Sequence, residues 1–269
     1  AAATASGPAA ALDATVSAYG FSSGGKLSIQ APSIQIVAGD GPRAAGGTIS
    51  LPDSYFAGRG FGEYDLSAVA GGLTVAPDAR VVLQQRNYLP DAALRGLQTG
   101  ADVSKATGVG YLPEIIRAPV NLQLSATSAP LPTTPYSPPP DTTPLPPQMA
   151  LQIGAGAVIQ ADPGAAIGVA VTGRVPIPSI DSQIGNIAGQ NAVADIEGTI
   201  AAPAGSIVVT GGADAQIWLG AQSRLDASGV AVADTRQAAL NIGTVLAGGT
   251  VTIHGADASS AIVALKGSQ

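Results

Sequence analysis

The chain contains no cysteine, so neither disulfides nor thiolate metal sites are open to it. Aromatic residues make up only 4% of its 269 positions, too few for ring side chains to fill a thick globular interior. Charge is sparse at 11%, and 12 basic residues face 18 acidic ones. That balance argues against a phosphate-neutralising surface for nucleic acid and equally against an anionic membrane as partner. The opening "AAATASGPAAALDATV" lacks a basic region followed by a continuous apolar stretch, so any secretion signal is expected to have been removed or to lie outside this sequence. The nearest approach to a membrane span, "MALQIGAGAVIQADPGAAIGVAVTG" from Met149, carries Gln160, Asp162 and Pro163 at its centre, where a charge and a missing backbone donor are costly in lipid. Alternating strands account for it better.

Alanine, valine, isoleucine and leucine instead supply most of a 46% hydrophobic content, which implies a narrow aliphatic core. With 35 glycines and 21 prolines, the chain is punctuated too often for long helices. The reading is all-β, and "PDAALRGLQTGADVSKATG" after Pro90 is the only stretch expected to hold a turn or two of helix.

Apolar pairs recur in the C-terminal third. Ile207 and Val209 are followed by Val230 and Val232 and then by Val251 and Ile253, in steps of 23 and 21 residues. Ile217 and Leu219, Leu240 and Ile242, and Val263 and Leu265 form a second series, and Ile200, Leu225 and Leu246 a third. Strands repeating near this length indicate a β-solenoid with three short strands per coil of about 21–25 residues, each coil stacking on the last because it cannot bury its inner face alone. In "GTIAAPAGSIVVTGG", Pro203 and Gly205 carry the chain around a bend, and Ile207 and Val209 then point inward. Upstream, "GGKLSI", "GGTISL" and "GGLTV" place Leu27, Ile49 and Leu73 at similar spacing. At this period the chain makes on the order of ten or eleven coils, a rod roughly 50 Å long.

Three parts follow: residues 1–127, an N-terminal solenoid segment with loop insertions; residues 128–148, a Pro-rich loop or linker outside the solenoid; and residues 149–269, a more regular C-terminal segment. The prolines of "SAPLPTTPYSPPPDTTPLPPQ" deny ladder donors and favour extended polyproline geometry, as a spacer or as a docking peptide for an aromatic groove.

The stretches "GSIVV", "IWLGAQSRLDASGVAV", "VLAGGTVTIHGADASSAIVALKGSQ" and "GFGEYDLSAVAGGLTVAPDARVVL" resemble the filamentous haemagglutinin family of large bacterial surface proteins exported by two-partner secretion. The resemblance covers most of the chain apart from the Pro-rich stretch. It implies a right-handed parallel β-helix serving as a stalk or adhesin, secreted or displayed on the outer surface of a Gram-negative bacterium. It also implies a cell-surface receptor or glycan as partner, and an outer-membrane transporter engaged through a region not in this chain. The amino-terminal secretion domain of such proteins is not found, so an interior segment of a longer protein is expected, with end-to-end self-association open to it.

Candidate chemistry is thin, and no catalytic, cofactor or metal site is expected. Asp214, Asp234 and Asp257 each follow the second strand of consecutive coils and could align to share a proton or hold a cation. Their offsets differ and no basic partner recurs, so ordinary turn residues are the simpler reading. His254, the only histidine, should point to solvent. Trp218, flanked by Ile217 and Leu219, faces outward and is the one candidate surface contact for a sugar or partner, unless a loop covers it. The aromatic cluster from Tyr55 to Tyr64 reads as a loop sealing one face of the rod. The leading expectation is a structural stalk or adhesin segment. The alternative is a polysaccharide-binding or polysaccharide-cleaving β-helix, favoured if a cleft gathers carboxylates beside a basic residue.

Overall fold

Alternation decides which side chains go inside, and the computed structural model shows it strand after strand: in Asn121–Thr127 and Ser206–Gly211 every second residue is buried. The structure describes residues 10–11, 16–39, 47–127, 148–173, 192–213, 215–240, 242–256, 261–265 and 267–268. The Pro-rich expectation for 128–148 therefore lies outside the described residues except at Gln148.

In chain order the first strands are β1 (Ala10–Ala11), β2 (Lys26–Val37) and β3 (Thr48–Pro52). A short helix, α1 (Tyr55–Gly58), leads to β4 (Glu63–Val75) and β5 (Arg80–Leu83). A hairpin of β6 (Arg86–Pro90) and β7 (Thr107–Tyr111) follows. Next come β8 (Asn121–Thr127), β9 (Gln148–Ile153) and β10 (Val158–Ala161), then β11 (Ala166–Thr172), β12 (Ala192–Ile196) and β13 (Thr199–Ala201). The chain continues through β14 (Ser206–Gly211), β15 (Ala215–Leu219) and β16 (Arg224–Asp226). A second hairpin, β17 (Val230–Ala233) with β18 (Gly243–Leu246), precedes β19 (Thr250–Gly255) and β20 (Ala261–Ala264).

These strands pair in parallel into a mostly β, solenoid-like stack. One ladder runs β2–β4–β8–β11–β14–β19. A second runs β3–β2–β4–β9–β12–β15–β20, because β2 and β4 each bend and contribute to both. A third runs β5–β10–β13–β16. The inward side chains of all three merge into one core cluster. Leu66, Leu124, Val169, Val209 and Ile253 stand in one column, and Val75, Ile153, Ile196 and Leu219 in another. Small aliphatic residues suit such columns because each is tiled against its own kind every strand spacing.

The stacking corrects the expected period of 21–25 residues. Val209 lies directly on Ile253, 44 residues away, and Val169 on Val209 after 40. Val232 is not between them: it sits in β17, which pairs antiparallel with β18, so Val230 opposes Leu246. Leu240 likewise belongs to a 3₁₀ turn, Thr235–Leu240, outside the stack. Of the third series, Ile200 does stack on Leu225, 25 residues on. Ile49 and Leu73 both pair with Ile34, from opposite sides. Among the described residues the first ladder thus holds six strands and the second seven, about 24–29 Å end to end at ordinary strand spacing, instead of ten or eleven coils.

The corners match the reading of Pro203 and Gly205. The Gly205 amide donates to Ala202 O at 2.9 Å, closing the turn, and Ser206 N and Thr250 N bond to Ala165 O and Gly205 O of the adjoining corners. Glycine is required at 205: an added Cβ would stand 2.1 Å from the Ala165 carbonyl oxygen. The aromatic cluster is internal. Tyr55, Phe56, Phe61 and Tyr64 are all buried and packed edge to face, with Phe56 and Tyr64 ring centroids 4.9 Å apart. Here α1 packs beside β5, the free edge of the third ladder, while the Asp53 carboxylate accepts the Arg80 N–H at 2.9 Å. Helical turns occur as expected at Ala92–Gly96 and Val103–Ala106, and also, unexpectedly, at α1, Glu114–Ile116 and Thr235–Leu240.

Candidate functional site

The chain leaves the third ladder four times on its way back to the first. From β10 to β11 and from β13 to β14 it does so in four residues, 162–165 and 202–205. From β5 to β8 and from β16 to β19 it makes long excursions, which carry the two hairpins. The excursions flank the two tight corners, and β17 leans across to meet the turn Glu114–Ile116. A groove of about 320 Å³ lies between them. Its floor is Val82, on the outer side of the third ladder, with Pro163 and Pro203 of the corners; Gln84 and the outward Gln160 stand beside them, and Glu114, Arg117 and Val230 form its sides.

A buried ion pair fixes one wall. Arg117 donates from Nε to Asp162 Oδ2 at 2.5 Å and from Nη2 to Oδ1 at 2.6 Å, and from Nη1 to the Leu112 carbonyl at 3.0 Å. The two side chains are 9% and 6% exposed, and the bond to Asp162 raises the Arg117 pKa above its ordinary value. Such a pair contributes position more than net stability, since desolvation offsets much of its attraction. The guanidinium also lies 5.8 Å from the Tyr111 ring, which Arg86 faces at the same distance. The Tyr111 hydroxyl donates to Ala57 O at 2.7 Å, tying the β6–β7 hairpin to α1. Glu114 is exposed at the rim, and its carboxylate has no ion-pair partner among the described residues.

Chemically the groove offers one available carboxylate, two amide side chains and an apolar floor, with its cation already engaged. That set can bind a polar ligand. It does not assemble the pair of available carboxylates that glycoside hydrolysis uses.

The residues singled out from sequence lie elsewhere. Asp214 and Asp257 are outside the described residues. Asp234 is buried at the base of the second hairpin, where Arg236 donates from Nε and Nη2, both at 2.8 Å; that bond holds its carboxyl below the usual range. It thus has the basic partner that the sequence pattern did not reveal. His254 is exposed, its Nε2 3.1 Å from Thr210 Oγ1. Trp218 is half-buried on the outward side of β15, between Asp195 and Val263, and its Nε1 donates to Gln216 Oε1 at 3.0 Å. Among the described residues no group of three or more His, Asp and Glu gathers to hold a metal ion, and no helix is long and apolar enough to cross a membrane.

Sequence reasoning missed the groove because its parts are remote: Arg117 and Asp162 are 45 residues apart and no local motif links them. The one available signal was the unequal length of the segments between apolar pairs, long before Leu122 and before Val251 and short before Ile167 and Ile207. Comparison with known proteins finds no matching family model, no matching curated protein and no matching solved structure.

Proposed function

We propose that this chain is a structural segment of a secreted or surface-displayed filamentous protein, a right-handed parallel β-helix that works by being stiff and regular and by presenting its excursions to a partner. The observation that carries the reading is the persistence of three parallel ladders among the described residues, with both long excursions from the third ladder leaving at its corners. A stack of this kind satisfies its backbone groups along its length and leaves the outside free to vary. A relation to filamentous haemagglutinins, with export through an outer-membrane transporter and attachment to a receptor or glycan, fits the same arrangement.

Antibody labelling of intact cells that make the full-length protein tests this. Surface labelling without permeabilisation, together with adherence of beads coated with the purified chain, is the expected result; labelling only after permeabilisation would sink the proposal.

The second reading, a polysaccharide-binding solenoid, is favoured by the groove, where Glu114, Gln84, Gln160 and Arg117 meet over an apolar floor. Binding is supported ahead of cleavage because Asp162 is committed to Arg117.

A further inference from the structure

The groove over the third ladder has a chemistry specific enough to name a ligand class. We propose that it binds a short neutral glycan, with Glu114 and the Gln160 amide as hydroxyl partners and Val82, Pro163 and Pro203 beneath the sugar rings; this rests on the second reading above.

An extended peptide added as a further strand is the first rival, and it needs an open strand edge. At the floor β10 is bonded to β5 on one side and to β13 on the other, and β5, the edge strand, has α1 packed beside it. A polyanion such as a uronate chain or a phosphate is the second, and it needs a free cation. Among the described residues Arg117 is the only basic one lining the groove, and Asp162 and the Leu112 carbonyl hold all three of its nitrogens. With Asp162 neutralised by Arg117, the carboxylate of Glu114 leaves the groove negative and repels anions. An organic cation would gain from that charge, but it is best held by aromatic faces, and no aromatic residue lines the groove.

What remains is a neutral ligand with hydroxyls on its edges and C–H groups on its faces. The carboxylate accepts hydroxyl protons, and each glutamine amide both donates and accepts. The proline and valine floor matches the apolar face of a pyranose ring. The volume of about 320 Å³ sits at the lower end of ligand sites. The groove runs from β5 across β10 to the corner that follows β13, two steps of the stack, or about 10 Å. That length suits an oligosaccharide better than a single sugar.

Saturation-transfer NMR on the whole chain tests the assignment, using cellotetraose, maltotetraose, xylotetraose and chitotetraose, with tetragalacturonate as the charged comparison. At least one neutral tetrasaccharide is expected to bind. At exposed positions, Glu114→Gln is expected to weaken it about tenfold, the factor of a hydrogen bond to a charged group, and Gln160→Leu about two- to tenfold, the factor of a neutral one. Trp218→Ala, on the second ladder, should leave it unchanged, and circular dichroism of each variant confirms the fold. Binding of tetragalacturonate at equal strength, lost in the same groove variants, would overturn the neutral class while keeping the groove as a glycan site. Loss of binding in Trp218→Ala alone would move the site off the groove, and absence of any oligosaccharide binding would end both readings.

Discussion

Tyr64 shows how much one residue in the aliphatic stack is constrained. Its ring is fully buried among Tyr55, Phe56 and Phe61, its hydroxyl donates to Phe56 O at 3.2 Å, and burial raises its pKa far above the ordinary tyrosine value; Tyr55 is raised for the same reason. In the unfolded chain tyrosine ionises near pH ~10. A raised folded value means the folded state keeps a proton that the unfolded state releases, so stability is intact below about pH 10 and falls as pH rises beyond it. Denaturant midpoints measured from pH 8 upward should show this decline, and Tyr64→Phe should flatten it; an equal decline in the variant would assign it to other groups. The corner at 202–205 makes a backbone argument. Ala204 has φ of 53°, a left-handed conformation unfavourable for a side chain by roughly 1–2 kcal/mol. Ala204→Gly is expected to be stabilising or neutral in thermal unfolding. Gly205→Ala, driven against the Ala165 carbonyl, should cost about 1–3 kcal/mol. The reverse order would mean that the corner is not held as described.

At the scale of elements, the β17–β18 hairpin is the instructive case. Its sequence alternates like a rung and its apolar pairs fall on the period expected from the sequence, yet Val245 is 82% exposed and the two strands pair only with each other. Alternation by twos is common to a parallel rung and an antiparallel hairpin, so periodicity alone does not separate them. Register shows how to remove it. Ala201 pairs with Asp226 and Ser206 with Thr250, so a copy of the Ala202–Gly205 corner spans the same gap. Replacing residues 227–249 with Ala-Pro-Ala-Gly should leave the strand signal in circular dichroism and cooperative unfolding, because β16 and β19 keep their neighbours. Loss of cooperative folding would show the hairpin to be part of the stack's support. The same replacement removes Val230 from the groove, so any ligand held there should bind more weakly.

For the whole molecule, the two ends of the stack differ. At one end β3, α1 and the aromatic cluster cover the core. At the other, β19 and β20 are edge strands without a charged residue, and Val251, Ile262 and Leu265 are 41%, 49% and 55% exposed. Uncharged apolar edges invite pairing with another chain. Sedimentation velocity should therefore reveal association that grows with concentration, and Val251→Lys combined with Ile262→Lys should suppress it; a wild-type chain that stays monomeric throughout would remove the idea. The all-β class, the narrow aliphatic core, the bend at Pro203 and Gly205 and the inward facing of Ile207 and Val209 were determined by sequence alone. Each depends on residues within a few positions of one another, where dihedral preference and side-chain alternation act directly. Which strand lies on which, the standing of Val232 in a hairpin and the meeting of Arg117 with Asp162 were decided only by the tertiary structure. Those depend on excursions of unequal length closing at the same corner, and the pairing energy that selects among such closures exists only once distant segments are in contact.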